Sequence, residues 1–424
     1  MSKLPTLALA TLLGLAVTGP LYATPAGTGA PAGTQQSRSF EQWLTEFTRT
    51  ARNAGIEGWA LEQAFTGISA DPSIIRADES QPEFTRPVWQ YLEGALSSWR
   101  IARGKAVLAE HRRTLDLIEE RYGVDRYTLV AIWGMESNYG QQMGDKNIIR
   151  SLATLAWHGR RAAFWEDQLM AALRILQNGD VSSRAMIGSW AGAMGQTQFM
   201  PTTYLEHAVD FDGNGKRDIW NSSADALASA ANYLNNSGWQ RGAGWGHEVR
   251  LPTLFDHALA DGEQRKPLAE WLQLGVELDG AASLSAEQLQ QEASIFLPAG
   301  YRGPAYLQLN NFRSILRYNN STAYALAVGL LANGLQGEHF SLHRWPTEDL
   351  PLSRSERLEL QQLLNDLGLA TGTADGIIGV NTRKAIRGFQ QLQDLPQDGY
   401  ASKHLLERIR SAAAEARSKA PEPH

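Results

Sequence analysis

Apolar side chains recur at intervals of three and four residues through most of this chain, the spacing of one face of an α-helix. The main stripes are Phe40, Trp43, Leu44 and Phe47; Ile101, Leu108, Leu115 and Tyr122; Trp165, Leu169, Ala172, Leu173 and Leu176; Leu227, Ala230, Ala231 and Leu234; and Tyr324, Ala327, Val328 and Leu331. None of the 424 residues is cysteine, so packing of these stripes must stabilise the fold without disulfides. We therefore expect a mainly α protein, with a small sheet or irregular insertion between about Trp245 and Leu309, where the helical pattern weakens.

The first residues have the composition of a secretory signal. Lys3 precedes a mostly apolar stretch, residues 4–21, and the small residue Ala23 suits a cleavage site. We expect a signal peptide over residues 1–23 and a flexible leader over residues 24–38, where Ala, Gly, Thr and Pro predominate. No cysteine is present to carry a lipid, so the exported protein should be soluble and not membrane-anchored.

Charge and aromatic content narrow the class of partner. A formal net charge of -6 and the scarcity of Lys and Arg clusters argue against the basic face that nucleic-acid binding normally requires. The chain contains 13 Trp and 12 Tyr residues, whose rings fill cores but also stack on the apolar faces of sugars. We expect no nucleic-acid partner, and a carbohydrate ligand fits the composition better.

Glu136 is the candidate for acid–base chemistry. It follows Leu129, Ile132 and Trp133 on one face of a helix expected over residues 125–136. Burial at the end of an apolar stripe would raise its pKa toward the range in which a carboxylic acid donates a proton near neutral pH. The alternative is a helix-end glutamate that points into solvent.

A second pattern predicts a calcium loop. Oxygen-bearing side chains and a glycine occupy positions 1, 3, 5, 6, 9 and 12 of an EF-hand loop, and a backbone carbonyl is available at position 7; the residues are Asp210, Asp212, Asn214, Gly215, Asp218 and Asn221, with Lys216 at position 7. The last ligand is a neutral Asn and not a bidentate Glu, so the expected affinity for Ca2+ is modest. The alternative is a turn stabilised by its own side-chain hydrogen bonds.

The C-terminal part reads as a separate small domain. Two prolines break the helical pattern, which predicts a linker over residues 346–352. Three short helices should follow, carrying Leu360, Leu363, Leu364 and Leu367; Ile386 and Phe389; and Leu405, Leu406 and Ile409. Residues 413–424 are expected to form a frayed tail.

Five separated motifs in one order resemble the lytic murein transglycosylase B family over residues 39–345. They are Met135-Glu136-Ser137-Asn138-Tyr139-Gly140; the block from Gly188 to Pro201; Ala208-Val209-Asp210-Phe211-Asp212-Gly213-Asn214-Gly215; Ala230-Ala231-Asn232-Tyr233; and Arg317-Tyr318-Asn319. The resemblance implies a lysozyme-like helical domain in the periplasm. It also implies cleavage between N-acetylmuramic acid and N-acetylglucosamine in peptidoglycan, with 1,6-anhydromuramyl ends and no required cofactor.

Residues 353–412 resemble the peptidoglycan-binding domain type 1. The matching segments are Leu360-Gln361-Gln362-Leu363-Leu364, Asp375-Gly376-Ile377-Ile378-Gly379, Thr382, Phe389-Gln390 and Leu395-Pro396-Gln397-Asp398-Gly399. This resemblance implies peptidoglycan glycan strands as the partner. The alternative is a helical module that only adds stability.

Carried over position by position, the resemblance makes Glu136 the catalytic acid. The residues that match the lining of the glycan cleft are Ser189, Gln198, Tyr233, Tyr318, Asn319 and Tyr324. Each of these could instead cap a turn or pack a helix face. No partner acid is close to Glu136 in sequence, although Asp145 or Asp167 could approach it in space. The competing functions are a muramidase that uses water and a non-catalytic wall-binding protein.

Overall fold

The structure is a computed structural model that describes residues 38–80, 86–158, 161–279, 284–338 and 344–419. The expected signal peptide, residues 1–23, and all but the last residue of the expected leader lie outside these ranges. Within these ranges, no helix is both long and apolar enough to cross a membrane.

Helices build most of the described chain, as the periodicity predicted. Before residue 180 they are α1 (Phe40–Asn53), α2 (Gly58–Phe65), α3 (Pro72–Glu79), α4 (Val88–Ala95), α5 (Ser98–Glu110), α6 (Arg112–Tyr122), α7 (Arg126–Ser137), α8 (Ile148–His158) and α9 (Ala162–Gln177). Between residues 200 and 340 they are α10 (Pro201–His207), α11 (Ser223–Asn236), α12 (Leu268–Gln273), α13 (Ala286–Leu289), α14 (Asn310–Tyr318) and α15 (Thr322–Gln336). The prediction of a mainly α fold is confirmed.

The apolar stripes are the buried faces of these helices. Most side chains expected to face a core on α1, α9, α11 and α15 are buried, including Trp43 and Leu169. The stripe from Ile101 to Tyr122 differs from the expectation, because it is divided between α5 and α6. His111 leaves the helical conformation between them, with φ -101° and ψ 18°, so the chain turns at that residue.

Two apolar cores meet near Glu136. One core lies around α7, α11 and α15, and the other lies around α1, α8 and α9. Tyr233 on α11 and Tyr318 at the end of α14 pack against both cores. The junction of the two cores is therefore where side chains from distant parts of the sequence come together.

The weakly periodic region between Trp245 and Leu309 contains a small antiparallel sheet, as expected. After a two-stranded pair, β1 (Lys146–Asn147) and β2 (Ile187–Gly188), the chain forms β3 (Gly246–Val249), β4 (Lys266–Pro267), β5 (Glu292–Phe296) and β6 (Ala305–Gln308). The spatial order is β3-β6-β5-β4, with Ile295 opposite Leu307. A separate apolar core around the fully buried Trp271 packs on this sheet, so the insertion has a hydrophobic core of its own.

Three helices form the C-terminal unit: α16 (Arg354–Asp366), α17 (Val380–Leu392) and α18 (Lys403–Lys419). Ser353 caps α16 through a reciprocal pair of hydrogen bonds with Glu356. The three helices enclose a small core of Leu360, Leu364, Ile386, Phe389, Leu405, Leu406 and Ile409. Helix α18 continues to Lys419, so the chain stays helical beyond the expected start of the tail at residue 413.

The segment that connects the two units packs against the first unit at one end and against the C-terminal unit at the other. Trp345 packs against Trp89 of the first unit, with ring centroids 6.3 Å apart, whereas Leu352 belongs to the C-terminal core. The backbone N–H of Tyr301 donates to Oδ2 of Asp398 over 2.9 Å. The C-terminal unit is therefore held against the loop that follows β5.

Candidate active site

Helix α7 carries Glu136 in its last turn. Asp125 caps its first turn, and Oδ1 of that residue accepts the N–H of Thr128 at 2.8 Å. Directly after the helix, residues 138–140 all have left-handed backbone, with φ values of 52°, 59° and 79°. Left-handed backbone is uncommon outside glycine and concentrates at functional sites. This turn ends the helix one residue after the carboxylate and so fixes where that carboxylate lies.

The carboxyl group of Glu136 is buried, with 8% of the residue exposed. Its Oε1 accepts a hydrogen bond from the hydroxyl of Tyr324 at 2.5 Å. Burial raises the pKa of Glu136 to about 7, and the hydrogen bond from Tyr324 opposes that rise. The alternative of a solvent-facing glutamate does not hold, and the group is suited to proton donation near neutral pH.

Tyrosines from three helices face this carboxyl. Tyr324 comes from α15, Tyr318 ends α14, and Tyr91 lies on α4. Burial raises the pKa of each phenol, and the negative charge of Glu136 raises it further. For Tyr91 the pKa reaches about 12 even though the guanidinium of Arg100 lowers it. The phenols therefore stay protonated, and of the three it is Tyr324 that donates a hydrogen bond to Glu136.

An aromatic cluster continues the wall away from the carboxyl. The rings of Tyr233 and Tyr318 are 5.0 Å apart and inclined at 71°, and Phe199 lies 5.8 and 5.7 Å from them. The hydroxyl of Tyr318 donates to the carbonyl oxygen of Thr197 at 2.8 Å, and that of Tyr233 donates to the carbonyl oxygen of Arg317 at 2.5 Å. Both rings are thus fixed by backbone contacts and present rigid aromatic surface.

Gln198 lies in the loop that faces this cluster, with a left-handed φ of 51°. Its Nε2 donates to the carbonyl oxygens of Met143 at 3.1 Å and of Gly195 at 2.8 Å. The two amide hydrogens are therefore both used, and Oε1 remains as an acceptor.

Ser189 closes a neighbouring turn, in which its Oγ accepts the N–H of Ala193 at 3.0 Å. The adjacent Gly188 touches the segment after α7 so closely that a Cβ on Gly144 would lie 2.1 Å from its carbonyl oxygen. Ser189 and Gln198 are thus both placed against residues 143–144. Asn319 ends α14, and its side chain makes no hydrogen bond with another described residue.

The fold brings the predicted site residues together unevenly. Tyr324 makes a hydrogen bond with Glu136, and Tyr318 is close enough that the charge of Glu136 raises its pKa. Tyr233 contacts the ring of Tyr318.

Residues 39–333 of the chain match the family model described as the transglycosylase SLT domain. The chain belongs to this family.

Members of the transglycosylase SLT family with known structures resemble the chain over most of its length. SltB3 from Pseudomonas aeruginosa, solved in complex with NAG-anhNAM-pentapeptide, is 58% identical with a TM-score of 0.86; the match covers 88% of this chain and 100% of that chain. The lytic transglycosylase SLT35 of Escherichia coli, solved in complex with calcium, is 27% identical with a TM-score of 0.59; the match covers 69% of this chain and 92% of that chain.

A curated relative and a second family model agree with this assignment. The membrane-bound lytic murein transglycosylase B of Escherichia coli (strain K12) is 28% identical over 296 residues, which are 66% of this chain and 79% of the relative. Residues 353–409 match the putative peptidoglycan binding domain. The family and the lysozyme-like helical fold expected from the motifs are confirmed.

Two residues of the site were missed in the sequence. Tyr91 sits among the apolar residues of α4, where an aromatic side chain reads as core. Arg100 on α5 carries no motif. Neither residue gives a local signal, because both acquire their place from the packing of α4 and α5 against α7 and α15.

In the acidic loop, one carboxylate outside the predicted ligand set lies close to two of the predicted ligands. Asp210, Asp212 and Asp225 each offer a carboxylate oxygen, and these oxygens lie within 4.8 Å of one another. Asp218 and Asn221 instead bind each other, with Nδ2 and Oδ2 3.0 Å apart.

Asp225 lies beyond the 12-residue window of the loop pattern, which is why the pattern did not include it. The donors are all oxygens, as Ca2+ prefers, and the mutual repulsion of three close carboxylates favours a cation between them. The side-chain oxygen of Asn214 accepts the N–H of Lys216 at 3.0 Å, so it supports the loop backbone.

Proposed function

We propose that this member of the transglycosylase SLT family is a peptidoglycan lytic transglycosylase. It cleaves the bond between N-acetylmuramic acid and N-acetylglucosamine without water and leaves a 1,6-anhydromuramyl end. The observation that carries the proposal is the environment of Glu136: within the described chain, this buried group accepts its hydrogen bond from the hydroxyl of Tyr324, and no second carboxylate shifts its pKa. The sugar–peptide ligand bound by SltB3 supports the substrate class.

The first step needs a neutral carboxylic acid. With a pKa of about 7, Glu136 is about half protonated at neutral pH and largely protonated below it. It donates its proton to the glycosidic oxygen, the bond from that oxygen to the anomeric carbon breaks, and an oxocarbenium-like muramyl sugar forms. The hydroxyl of Tyr324 then stabilises the carboxylate that remains.

The second step uses the same carboxylate as a base. Glu136 takes the proton from the muramyl 6-hydroxyl while that oxygen bonds to the anomeric carbon, so the acid is regenerated and no water is consumed. The attack is intramolecular, which can offset several kcal/mol of barrier. A nucleophilic or water-activating second carboxylate is not needed for this route, in agreement with the tyrosine surroundings of Glu136.

The cleft lining follows from the remaining polar side chains. Gln198 has only its Oε1 available, so it is suited to accept the N–H of a substrate acetamido group. Asn319 has its whole amide available to orient the same group. Tyr233 and Tyr318 supply aromatic surface for a sugar face, and Ser189 supplies the turn opposite Gln198.

Product analysis tests the reaction. Purified sacculi are digested and the soluble muropeptides are examined by mass spectrometry before and after borohydride treatment. We expect products lighter by one water than reducing muropeptides and resistant to borohydride. Glu136→Gln should abolish release while keeping glycan binding, and substantial residual release would contradict the assignment of Glu136.

The same experiment separates the alternatives. Reducing, borohydride-sensitive ends would identify a hydrolytic muramidase. Binding to sacculi without release of any soluble product by the wild-type chain would identify a non-catalytic wall-binding protein.

Calcium is proposed as a structural ion and not as a reactant. The carboxylates of Asp210, Asp212 and Asp225 would hold it, and SLT35 of Escherichia coli was solved in complex with calcium. The ion would supply charge that joins the loop to the start of α11, where Asp225 lies. No step of the proposed reaction needs a cofactor.

The C-terminal module and the signal-like N-terminal residues support a location at the peptidoglycan. Residues 353–412 would bind the wall and raise the local concentration of the catalytic domain without adding a catalytic group. We propose a periplasmic location, which rests on the signal-like residues 1–23 and on the substrate. For the domain bounds we propose a catalytic domain over residues 39–345, a linker over 346–352 and a wall-binding domain over 353–412. Helix α18 runs through most of the segment expected as a tail, residues 413–424.

A further inference from the structure

The guanidinium of Arg100 contacts α7, the helix that carries Glu136, and has no acidic partner among the described residues. Its Nη1 lies 3.4 Å from Sδ of Met135, the residue before the catalytic acid. Its Nε is buried and has no hydrogen-bond partner. No carboxylate of the described chain lies within ion-pair distance of it. A charge that is partly removed from water and unpaired is costly, which points to a partner supplied by a ligand.

Arg103 on the same helix shows the contrast. It is also half-buried, and its Nε is also buried without a hydrogen-bond partner. Its guanidinium, however, lies 3.6 Å from the carboxylate of Glu110. Among the described residues there is therefore an acid beside Arg103 and none beside Arg100, three residues earlier.

The backbone of Arg100 is held in place by a hydrogen bond from Tyr139, which follows the end of α7. Its carbonyl oxygen accepts the hydroxyl of Tyr139 at 2.8 Å. The ring of Tyr139 fits between α5 and α7, because a Cβ on Gly104 would lie 2.7 Å from its hydroxyl and a Cβ on Gly134 2.7 Å from its ring. The backbone that carries the guanidinium is thus held where α5 packs tightly against α7.

The positive charge of Arg100 is not spent on Glu136. Tyr91 lies within the electrostatic reach of both groups. Burial raises the pKa of Glu136 to about 7, and the hydrogen bond from Tyr324 opposes that rise. A guanidinium close to the carboxylate would lower the pKa instead. Arg100 is therefore near the reacting acid yet free to bind another anion.

We propose that Arg100 binds a carboxylate of the substrate and makes the groove selective for muramyl residues. This inference rests on the proposed function. Arg offers a planar fork of N–H donors that matches a carboxylate with two parallel hydrogen bonds. Two substrate carboxylates have this chemistry: the lactyl carboxylate of a peptide-free muramyl residue and the carboxylates of a stem peptide. Chitin oligosaccharides have neither.

Binding measurements with three probes test the proposal. Glu136→Gln protein, alone and combined with Arg100→Met or Arg103→Met, is titrated by calorimetry with chitotetraose, with a peptide-free tetrasaccharide of alternating N-acetylglucosamine and N-acetylmuramic acid, and with the same tetrasaccharide bearing pentapeptides. Arg100→Met should weaken an acidic probe by about tenfold or more, since hydrogen bonds to charged groups contribute that much. Chitotetraose binding should not change, and Arg103→Met should leave all three affinities in place.

The pattern of loss identifies the carboxylate. A loss confined to the peptide-free tetrasaccharide points to the lactyl group, and a loss confined to the pentapeptide form points to the stem peptide. Equal affinities with and without Arg100, or an equal loss on chitotetraose, would overturn the proposal.

Turnover supplies a second readout that a purely structural role would not give. Arg100→Met should raise KM for the acidic substrates with kcat little changed, and Arg100→Lys, which keeps the charge but loses the fork, should fall between wild type and Arg100→Met. A fall in kcat at constant KM would contradict substrate binding by Arg100. Wild-type protein that releases no anhydro products would refute the proposed function itself, a result distinct from a failure of Arg100.

Discussion

The hydroxyl of Tyr324 on α15 donates to Oε1 of Glu136 on α7 across 2.5 Å, joining residues that are 188 positions apart in the chain. The bond stabilises the carboxylate more than the acid, so it lowers the pKa that burial has raised. One hydroxyl thereby tunes both steps of the proposed reaction: it limits how firmly the proton is held and it stabilises the base that remains.

Tyr324→Phe should shift the pH profile to higher pH. Loss of the hydrogen bond raises the pKa of Glu136 above about 7, so the alkaline fall in kcat/KM moves upward. Because the carboxylate loses its donor, kcat should fall by about ten- to a hundredfold. Rates of muropeptide release across pH 5 to 9 measure both effects. Tyr122→Phe, on α6, is the control, and an unmoved alkaline limb in Tyr324→Phe would contradict the role.

Glu136 should make the wild-type protein less stable as the pH rises. Its folded pKa of about 7 exceeds the ordinary value of 4.5, so the folded state binds the proton more tightly than the unfolded state. The stabilisation is complete below pH 4.5 and is lost as the pH rises through about 7. Relative to Glu136→Gln, the wild-type free energy of unfolding should drop by about 3 kcal/mol between pH 4 and pH 8.

Urea unfolding of both proteins at several pH values measures this difference. The exposed Glu93→Gln provides the control, because an exposed carboxyl should give no comparable dependence. Parallel curves for the wild type and Glu136→Gln would show that Glu136 is not held neutral in the folded protein.

The slot for Tyr139 should not tolerate a methyl group. In Gly134→Ala the new Cβ would lie 2.7 Å from the phenol ring, and in Gly104→Ala it would lie 2.4 Å from Cδ2 of Leu335. Such overpacking costs about 1 to 3 kcal/mol of stability. Gly94→Ala on α4, where a Cβ meets nothing within 4 Å, should be neutral or slightly stabilising. Urea unfolding compares the three, and equal stabilities would refute the slot.

The sequence predicted the parts of this molecule that depend on local periodicity or on a contiguous motif. The apolar stripes predicted helices α9, α11 and α15. The position of Glu136 at the end of such a stripe predicted that its carboxyl group is buried. The contact between Glu136 and Tyr324 could not be predicted from spacing, since it depends on how α7 packs on α15. Arg100 was invisible for the same reason: what distinguishes it from Arg103 is the absence of a neighbouring acid in the described fold.

The acidic loop shows the limit of a sequence pattern that has a fixed length. The EF-hand window ends at Asn221, so Asp225 was not considered, although the turn into α11 brings its carboxylate to Asp210 and Asp212. Asp218 satisfied the pattern but binds Asn221. A local motif can thus mark an acidic loop and still miss a side chain that the fold brings to it.

Substitutions at Asp225 and Asp218 should therefore differ in their effect on calcium binding. If the ion binds the folded protein, millimolar calcium raises the melting temperature of the wild type relative to chelator. Asp225→Asn removes one of three converging carboxylates and should abolish most of that shift, whereas Asp218→Asn should keep it. Thermal unfolding with calcium, with magnesium and with chelator measures the shifts. Loss of the shift in Asp218→Asn but not in Asp225→Asn would support the donor set predicted from the 12-residue pattern, and no shift in the wild type would remove the metal site.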